Sequence, residues 1–363
     1  MKSSIRPAAR SADLQSTPMP KVVIWEIKVH ALNPMANCKG AFEMKAIRVR
    51  EFGEPEVMKI EEIEDPTPGA GEVVVNIKAV GVNPVETYIR KGIYGDIPLP
   101  YTPGTDAAGV VESVGENVTE FKPGDRVYTS GSLTGTYAQK CLCSQSQVHP
   151  LPETISFEQG AALYIPFGTA WQALFARAKG MAGESLLVHG ASGGVGLAAI
   201  QFGRAAGMRV IGTAGTEEGL RLVRENGAHI AINHTSPDQY MQILKATEHK
   251  GVDVILEMLA NVNLADDLEI IAPHGRVVVI GNRGKVEIDP RLMMRKDSCV
   301  MGMMLVNATE KEFRGIFAGI AAGLENGYLN PIIGKRFPLS EAPAAHHAIM
   351  ETRATGKIVL VNE

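Results

Sequence analysis

The chain of 363 residues has few cysteines, and their spacing excludes the usual cysteine-based sites. Its four cysteines are Cys38, Cys141, Cys143 and Cys299, with no C-x-x-C pair and no accompanying histidine cluster. This spacing predicts reduced thiols and neither a zinc finger nor a disulfide framework. The chain also lacks any apolar run of the roughly 18 to 20 residues that a membrane helix requires. We therefore expect a soluble protein with no membrane partner.

The chain also lacks a large excess of positive or negative charge. The 36 basic and 40 acidic residues give a net charge of −4, so the composition predicts no large basic face for nucleic acid. What the chain does contain is 45% hydrophobic residues and 38 glycines. The first value is ordinary for a globular protein, and the second indicates many tight turns and close backbone contacts. At roughly 100 to 200 residues per domain, the length predicts two compact units.

Residues 1–43 differ in composition from the rest. The first twenty contain four serines, three prolines and one acid, Asp13, together with Lys2, Arg6 and Arg10, and they show no helical period. We predict a disordered N-terminal extension over 1–43 on a cytoplasmic protein. Import into mitochondria through this basic, acid-poor segment is the alternative, although the prolines interrupt the amphipathic helix that such a signal needs.

The remaining chain changes its pattern twice. Residues 44–162 show short alternating strands separated by Pro-Gly turns, which predicts a mainly antiparallel β unit. Residues 163–301 alternate helices with short apolar strands, which predicts a doubly wound parallel sheet of the Rossmann type. Residues 302–363 are predicted to return to the first unit. The fold class is therefore α/β, with a Rossmann sheet inserted in a split antiparallel domain.

The periodicity also predicts individual elements. The helices expected in and before the parallel unit are Phe157–Ala178, Val195–Ala206, Glu217–Glu225, Pro237–Thr247 and Ala265–Ile271. The strands expected there are Ser185–His189, Arg209–Thr213, His229–Asn233, Val252–Glu257 and Arg276–Ile280.

A glycine-rich turn follows the first of these strands. Compared with the motif G-x-G-x-x-G, the sequence has Ala191 at the first glycine position and retains Gly193 and Gly196. The turn lies between a buried strand and a helix, which is the context that gives this motif its meaning. We predict that the backbone amides of Ser192–Val195 and the positive end of the helix dipole bind the pyrophosphate of a dinucleotide.

The end of the second strand indicates which dinucleotide. Sites for NAD place an acid about 20 residues after the turn to bind the ribose 2′-hydroxyl, but this strand ends in Ala214-Gly215-Thr216. Gly215 leaves room for a 2′-phosphate, so we predict NADPH. The candidate phosphate donors are Thr216, Arg221, His234 and Lys357.

The acids Glu217 and Glu218 offer an alternative, in which one of them reaches back to an NAD ribose. Thr216 followed by two acids is also typical of a helix start, with the threonine as N-cap. We favour the capping interpretation.

Three strings resemble the medium-chain dehydrogenase/reductase superfamily, and within it the zinc-free quinone oxidoreductase branch: Gly81–Arg90, Pro103–Gly109 and His189–Gly196. Two further strings, Thr213–Gly219 and Glu257–Leu264, are similar to the zeta-crystallin family of NADPH:quinone reductases. The resemblance extends from Met44 to the C-terminus. It implies a GroES-like catalytic domain, NADPH as cofactor, a quinone substrate (an ortho-quinone above all) and assembly into a homotetramer.

The resemblance also assigns roles to residues. It implies that Tyr88 lines the nicotinamide end, that Gly215 and His234 flank the 2′-phosphate, and that Asn263 lies in the cleft. The full set of cofactor-binding residues that it implies is Tyr88, Ser192, Gly193, Gly194, Val195, Gly215, His234, Asn263, Ile280, Gly281, Asn282 and Arg283. The last four also follow a predicted strand at the edge where open α/β sheets bind ligands.

No metal site is expected. Zinc-dependent alcohol dehydrogenases of this superfamily have a cysteine at the position of Asn83 and a histidine at that of Thr105, and neither Asn nor Thr is a zinc ligand. A quinone accepts hydride without a metal, so the implied catalytic residues are Tyr88 and Asn83, as hydrogen-bond donors to the reduced quinone. An aromatic wall is the other interpretation of Tyr88.

Further functions implied by the resemblance are single-electron transfer and binding of AU-rich mRNA. A zinc-free NADPH-dependent enone or alkenal reductase on the same scaffold is the alternative activity. His189 and the pair His346-His347 are interpreted as structural histidines.

Overall fold

A computed structural model of the chain describes residues 43–95, 97–350 and 355–362. The predicted extension 1–43 lies outside the described residues except for Glu43, which opens the first strand. The first part of the chain consists of β1 (Glu43–Val49), β2 (Met58–Glu64), β3 (Glu72–Val82), α1 (Pro84–Arg90), β4 (Asp106–Val114), β5 (Arg126–Ser130), β6 (Lys140–Ser144) and β7 (Val148–Pro150).

The middle part alternates helices and strands as the sequence predicts. It consists of α2 (Phe157–Gly160), α3 (Tyr164–Trp171), β8 (Ser185–Val188), α4 (Gly194–Ala205), β9 (Arg209–Ala214), α5 (Glu217–Glu225), β10 (Ile230–Asn233), α6 (Gln239–Ala246), β11 (Val252–Glu257), α7 (Ala260–Ile270), β12 (Ile271–Val279), α8 (Pro290–Met294) and β13 (Cys299–Gly302). The last part consists of α9 (Glu310–Glu325), β14 (Ile333–Pro338), α10 (Ala342–Met350) and β15 (Lys357–Val361).

Six strands form the parallel sheet, in the order β10-β9-β8-β11-β12-β13. All four residues of β8 are buried, as expected for a central strand covered by helices on both faces. The strand order reverses at β8, so the crevice that binds ligands in this fold lies beyond its carboxyl end. The glycine-rich turn begins at that point.

The second sheet has the order β14-β15-β3-β4-β5-β7, with β6 also paired to β3. The C-terminal strand β15 runs antiparallel to β3, with Ile358 opposite Val82 and Val361 opposite Ala79. The chain therefore returns to its first unit after the Rossmann sheet, and the predicted fold class is confirmed. The boundaries 44–162, 163–301 and 302–363 stay predictions.

Two predicted helices differ from the structure. The segment Phe157–Ala178 is not one helix: α2 ends at Gly160, α3 starts at Tyr164, and a π-helical turn covers Gln172–Arg177. Pro166 explains the restart, because a residue without an N–H is tolerated only in the first turn of a helix. The helix predicted at Ala265–Ile271 begins earlier, at Ala260.

No helix among the described residues has both the length and the hydropathy needed to cross a membrane.

The last segment of the chain docks on the glycine-rich turn, where Gly356 N donates to Ser192 O at 2.7 Å. Gly356 has a φ of +66°, which favours glycine. This contact places Lys357 beside the turn.

Candidate functional site

The glycine-rich turn provides an open helix N-terminus. Gly193 is the N-cap of α4 and has no side chain with which to cap this helix. The first amides of α4 therefore have no intrahelical acceptor and can bind an anion. Gly196 keeps the helix close to the turn, because a Cβ at this position would lie 2.6 Å from Ala191 Cα. Gly193 N donates to Gly190 O at 3.2 Å within the turn, and pyrophosphate binding by a cradle of Ser192, Gly193, Gly194 and Val195 stays a prediction.

Gly215 and His234 lie together at the end of β9. A Cβ on Gly215 would be 2.6 Å from Nε2 of His234, so the imidazole occupies the space that the missing side chain leaves. Burial, and then the charge of His189, lowers the pKa of His234. Thr216 accepts a hydrogen bond from Gly219 N at 3.0 Å, which confirms that it caps α5. Arg221 is paired with Glu225 one turn further on, at 2.8 Å.

Lys357 is not placed as a phosphate donor, and that prediction was wrong. Its side chain is 5% exposed and Asp106 is 1% exposed. Nζ of Lys357 lies 3.0 Å from Oδ2 of Asp106 and also donates to Oδ1 of Asn83. Because the two charges neutralise each other inside the protein, the ammonium is committed to Asp106. Its Cδ is nevertheless within ordinary contact distance of a Cβ built on Gly194, so the pair adjoins the glycine-rich turn.

Asn83 lies at the centre of a buried polar network. Its Nδ2 donates to Oδ2 of Asp106 at 3.1 Å and to Oε1 of Glu86 at 3.2 Å. The hydroxyl of Tyr137 donates to Oε2 of Glu86 at 2.7 Å. Burial raises the pKa of both Glu86 and Asp106, with Lys357 opposing the rise. The amide hydrogens of Asn83 are therefore engaged inside the protein, so its donation to a reduced quinone stays a prediction.

Tyr88 lies on α1, which Asn83 caps. It is half-buried, while its neighbours Glu86 and Thr87 are buried. Its ring meets Tyr94 edge-on, with ring centroids 6.4 Å apart. The structure brings the helix of Tyr88 to Lys357 through Asn83, and Tyr94, in the turn after α1, packs against the ring of Tyr88.

The remaining predicted residues gather at the carboxyl ends of β11 and β12. Asn263 on α7 donates to Oε1 of Glu257 at 3.1 Å. Ile280 N donates to Glu257 O at 2.8 Å, which places the loop after β12 beside the end of β11. Gly281 accepts from Ala260 N at 3.0 Å, and Asn282 and Arg283 are exposed.

A buried triad beneath this edge was not anticipated from the sequence. Nε2 of His189 lies 2.8 Å from Oδ1 of Asp267 and 3.7 Å from Oε2 of Glu257. Burial alone would lower the pKa of His189, but Asp267 and Glu257 outweigh it and raise the pKa overall. Burial raises the pKa of Glu257 to about 7, with His189 opposing and Asp267 adding to the rise. His189 is thus a hydrogen-bonded core histidine, as interpreted from the sequence.

The triad predicts a pH effect on stability. The pKa of Glu257 rises from 4.5 to about 7 on folding, so the folded state binds more protons between these values and its stability falls as the pH rises through them. Glu257→Gln removes this effect and keeps an acceptor for Asn263. At roughly 1.4 kcal/mol per pKa unit, the free energy of unfolding of the variant relative to the native chain should rise by on the order of 3 kcal/mol from pH 5 to pH 8. Urea unfolding of both proteins at pH 5 and pH 8 measures this difference. An equal difference at the two pH values would contradict the raised pKa of Glu257.

Both halves of the chain are similar to known protein families. Residues 69–153 match the alcohol dehydrogenase GroES-like domain family, and residues 194–321 match the zinc-binding dehydrogenase family. A human quinone oxidoreductase is 50% identical over 321 residues, which cover 88% of this chain and 98% of the human protein.

Solved structures of similar proteins have the same fold. The Escherichia coli quinone oxidoreductase complexed with NADPH has a TM-score of 0.78 at 30% identity, covering 87% of this chain and 99% of that chain. An NAD-dependent alcohol dehydrogenase has a TM-score of 0.81 at 29% identity, covering 88% and 99%. The scaffold therefore occurs with either dinucleotide.

Proposed function

The chain belongs to the quinone oxidoreductase family of the medium-chain dehydrogenase/reductase superfamily, and on this premise we propose that it catalyses NADPH-dependent reduction of quinones without a metal. The observation that carries the proposal is the glycine N-cap of α4, where the backbone amides of the turn meet the helix start, together with Gly215 and the imidazole beside it. The first binds a pyrophosphate and the second admits a 2′-phosphate.

The cofactor residues fit NADPH better than NADH. Gly215 stands where sites for NAD usually place an acid, so no carboxylate repels a 2′-phosphate there. His234 borders the space and can donate a ring N–H to it. Thr216 is occupied as the cap of α5, and Arg221 is paired with Glu225. Glu217 and Glu218 lie in the first turn of α5, where the helix dipole stabilises them.

A quinone is the acceptor class that these residues suit. NADPH supplies the hydride. The chain has to position the nicotinamide, exclude water and donate a hydrogen bond to the quinone oxygen that becomes negatively charged. At the two positions where zinc-dependent members carry a cysteine and a histidine, this chain has Asn83 and Thr105, which are not zinc ligands. Asn83 instead holds Lys357 against Asp106.

The contacts suggest different roles for Tyr88, on α1, and for Asn83, the N-cap of this helix. Tyr88 is half-buried, packs against Tyr94 and carries a phenolic O–H that can donate a hydrogen bond. We assign it contact with the nicotinamide and the acceptor, either as donor or as wall. Asn83 is assigned the positioning of Lys357.

The direct test is oxidation of NADPH and of NADH by the purified chain, with 9,10-phenanthrenequinone and a simple enone as acceptors. We expect turnover with NADPH and the quinone. Turnover with the enone alone would establish the alternative, an enone or alkenal reductase. Reduction of cytochrome c in the same assay reports single-electron transfer. The ortho-quinone preference, AU-rich mRNA binding, the homotetramer and the cytoplasmic location stay predictions.

Gly215→Asp should exchange the cofactor preference. The new carboxylate repels the 2′-phosphate and can bind the ribose 2′-hydroxyl of NADH, while the exposed His234 turns aside. We expect the ratio of kcat/KM for NADPH over NADH to fall by about two orders of magnitude, since loss of a charge-assisted contact and gain of a repulsive one each cost roughly tenfold. Gly215→Asn, which is of similar size and neutral, is the control. An equal fall in both variants would assign the effect to size alone.

A further inference from the structure

Glu257, the last residue of β11, contacts two segments at the carboxyl edge of the parallel sheet. Its side-chain Oε1 accepts a hydrogen bond from Nδ2 of Asn263 at 3.1 Å and another from Leu259 N. Its main-chain oxygen accepts hydrogen bonds from Ile280 N at 2.8 Å and from Gly281 N at 3.2 Å. One residue thus joins the start of α7 to the loop after β12, and both segments carry residues predicted to bind the cofactor.

The two segments also lie directly against each other. A Cβ on Gly281 would be 2.2 Å from Met258 O, so the loop after β12 passes close to the end of β11. Ala260 N donates to Gly281 O at 3.0 Å, and Arg283 N donates to Oδ1 of Asn261 at 2.9 Å. A displacement of the α7 start would therefore move the loop that carries Arg283.

The carboxyl group of Glu257 belongs to the buried triad. Glu257, Asp267 and His189 are 0%, 0% and 3% exposed. One atom of each side chain lies within 4.8 Å of the other two. Both carboxylates pair with the same imidazole, at 2.8 Å for Asp267 and 3.7 Å for Glu257. Because a protonated imidazole carries one positive charge, it balances only one of the two carboxylates.

Each of these carboxyl groups has one oxygen that lacks a donor. Among the described residues, no N–H or O–H donates to Oε2 of Glu257 or to Oδ2 of Asp267. An unpaired buried acceptor is costly, and two carboxylates that share a site do not both ionise readily. One proton between the two oxygens would satisfy both and cancel the unbalanced charge. In agreement, burial raises the pKa of Glu257 to about 7, with His189 opposing and Asp267 adding to the rise.

Two further titratable groups face the triad from neighbouring elements. Burial, and then Asp266, raises the pKa of Tyr240 on α6. Burial, and then the charge of His189, lowers the pKa of His234. Both side chains therefore stay neutral between pH 6.5 and pH 8.5. A change of charge in this range belongs to the triad, and replacement of Glu257 identifies its share.

We propose that Glu257 is a positioning residue for the cofactor and that it acts in its neutral form, with one proton shared with Asp267. The neutral group still offers Oε1 to Leu259 and Asn263, while the shared proton holds its other oxygen. Loss of this proton places an unbalanced negative charge in the core, beneath a site for an anionic cofactor. The carboxylates then repel each other, so the α7 start shifts and NADPH binds more weakly. The proposal rests on the proposed function, since it concerns the cofactor of that reaction.

Fluorescence titration of the full chain with NADPH at pH 6.5 and pH 8.5 tests the proposal. We expect the dissociation constant of the native chain to rise about fivefold from the first pH to the second, as it does when the complex holds the proton about tenfold more tightly than the free chain. Glu257→Gln reproduces the neutral acid, with an acceptor for Leu259 and an N–H donor for Asp267. It should have the native pH 6.5 affinity at both pH values. Glu269→Gln removes the same charge from an exposed position on α7 and should keep the native pH dependence.

Two more variants distinguish positioning from packing. Glu257→Leu keeps most of the side-chain volume but offers no acceptor, so NADPH should bind at least about tenfold more weakly at both pH values. Asp267→Asn keeps an acceptor for His189 and can donate to Glu257, so its NADPH affinity should be independent of pH. Thermal melting verifies the fold of each variant, and Asp267→Asn provides the comparison if Glu257→Leu does not fold.

The shared proton also has a readout that needs no cofactor. The infrared difference between the native chain and Glu257→Gln should contain the carbonyl band of a protonated carboxylic acid at pH 6.5, and this band should disappear at pH 8.5. Absence of the difference band would overturn the proposal whether or not the chain binds NADPH.

Three binding results would also overturn the proposal. One is an NADPH affinity of the native chain that does not depend on pH, and another is the native pH dependence retained in Glu257→Gln. The third is weak binding of NADPH by Glu257→Gln at pH 6.5, which would show that the ionised carboxylate is required. A native chain that shows the infrared band but binds no NADPH at either pH would contradict the proposed function, and with it the positioning role.

Discussion

Lys357→Met is expected to lower the free energy of unfolding by about 3 to 5 kcal/mol at pH 8, the usual cost of removing one partner of a buried ion pair. Asp106 is 1% exposed and would lose the only ammonium that the structure places on it among the described residues. Burial already raises the pKa of Asp106, and without Lys357 it would rise further. The carboxylate then takes up a proton more readily, so the loss should be smaller at pH 5. Urea unfolding at both pH values measures it.

Two companion variants make this result specific. Lys335→Met removes an exposed lysine on the adjacent strand β14, and we expect a change within about 0.5 kcal/mol. Adding Asp106→Asn to Lys357→Met should recover part of the stability, because a neutral amide needs no counter-charge. A loss in Lys357→Met that is independent of pH and is not relieved by Asp106→Asn would show that Lys357 acts by packing alone.

Gly196→Ala should weaken NADPH at least about tenfold and lower the free energy of unfolding by about 1 to 3 kcal/mol, as overpacking usually does. The added Cβ would lie 2.6 Å from Ala191 Cα and 2.7 Å from Gly190 O. Both are backbone atoms, so α4 has to move away from the glycine-rich turn. Its first amides move with it and lose their alignment on a pyrophosphate. Fluorescence titration with NADPH and urea unfolding measure the two effects.

Gly302→Ala is the matched control, since no heavy atom lies within 4 Å of a Cβ built there and β13 has an ordinary backbone at that residue. It should bind NADPH as the native chain does. Unchanged NADPH affinity in Gly196→Ala, together with the expected loss of stability, would show that displacement of α4 does not affect the cofactor and would contradict the cradle as the cofactor site.

The proposed cofactor site could be predicted from local sequence because its parts are local. The turn from Gly190 to Gly196 and the cap at Thr216 each depend on a few consecutive residues, whose backbone preferences are readable one by one. The order of the parallel sheet also follows from regular alternation of helix and strand. The helix start at Tyr164 was missed although its signal is also local, because the prediction ran one helix through Pro166, which is tolerated only in the first turn.

The buried polar groups could not be predicted in this way. Lys357 lies 251 residues from Asp106, and Asp267 lies 78 residues from His189. A single sequence shows that each side chain is polar, but not that it is buried, nor which charge meets it. Lys357 was named among the candidate phosphate donors for this reason. The pairing exists only because β15 returns to β3 and Gly356 docks on the turn.

The sequence by itself therefore determined the α/β class, the inserted Rossmann sheet and the glycine-rich turn, because secondary-structure periods and backbone conformations are properties of neighbouring residues. Only the tertiary structure decided the partners of Lys357, Asn83 and His189. Electrostatic energies inside a protein depend on distance and burial, and both are fixed when remote segments come together.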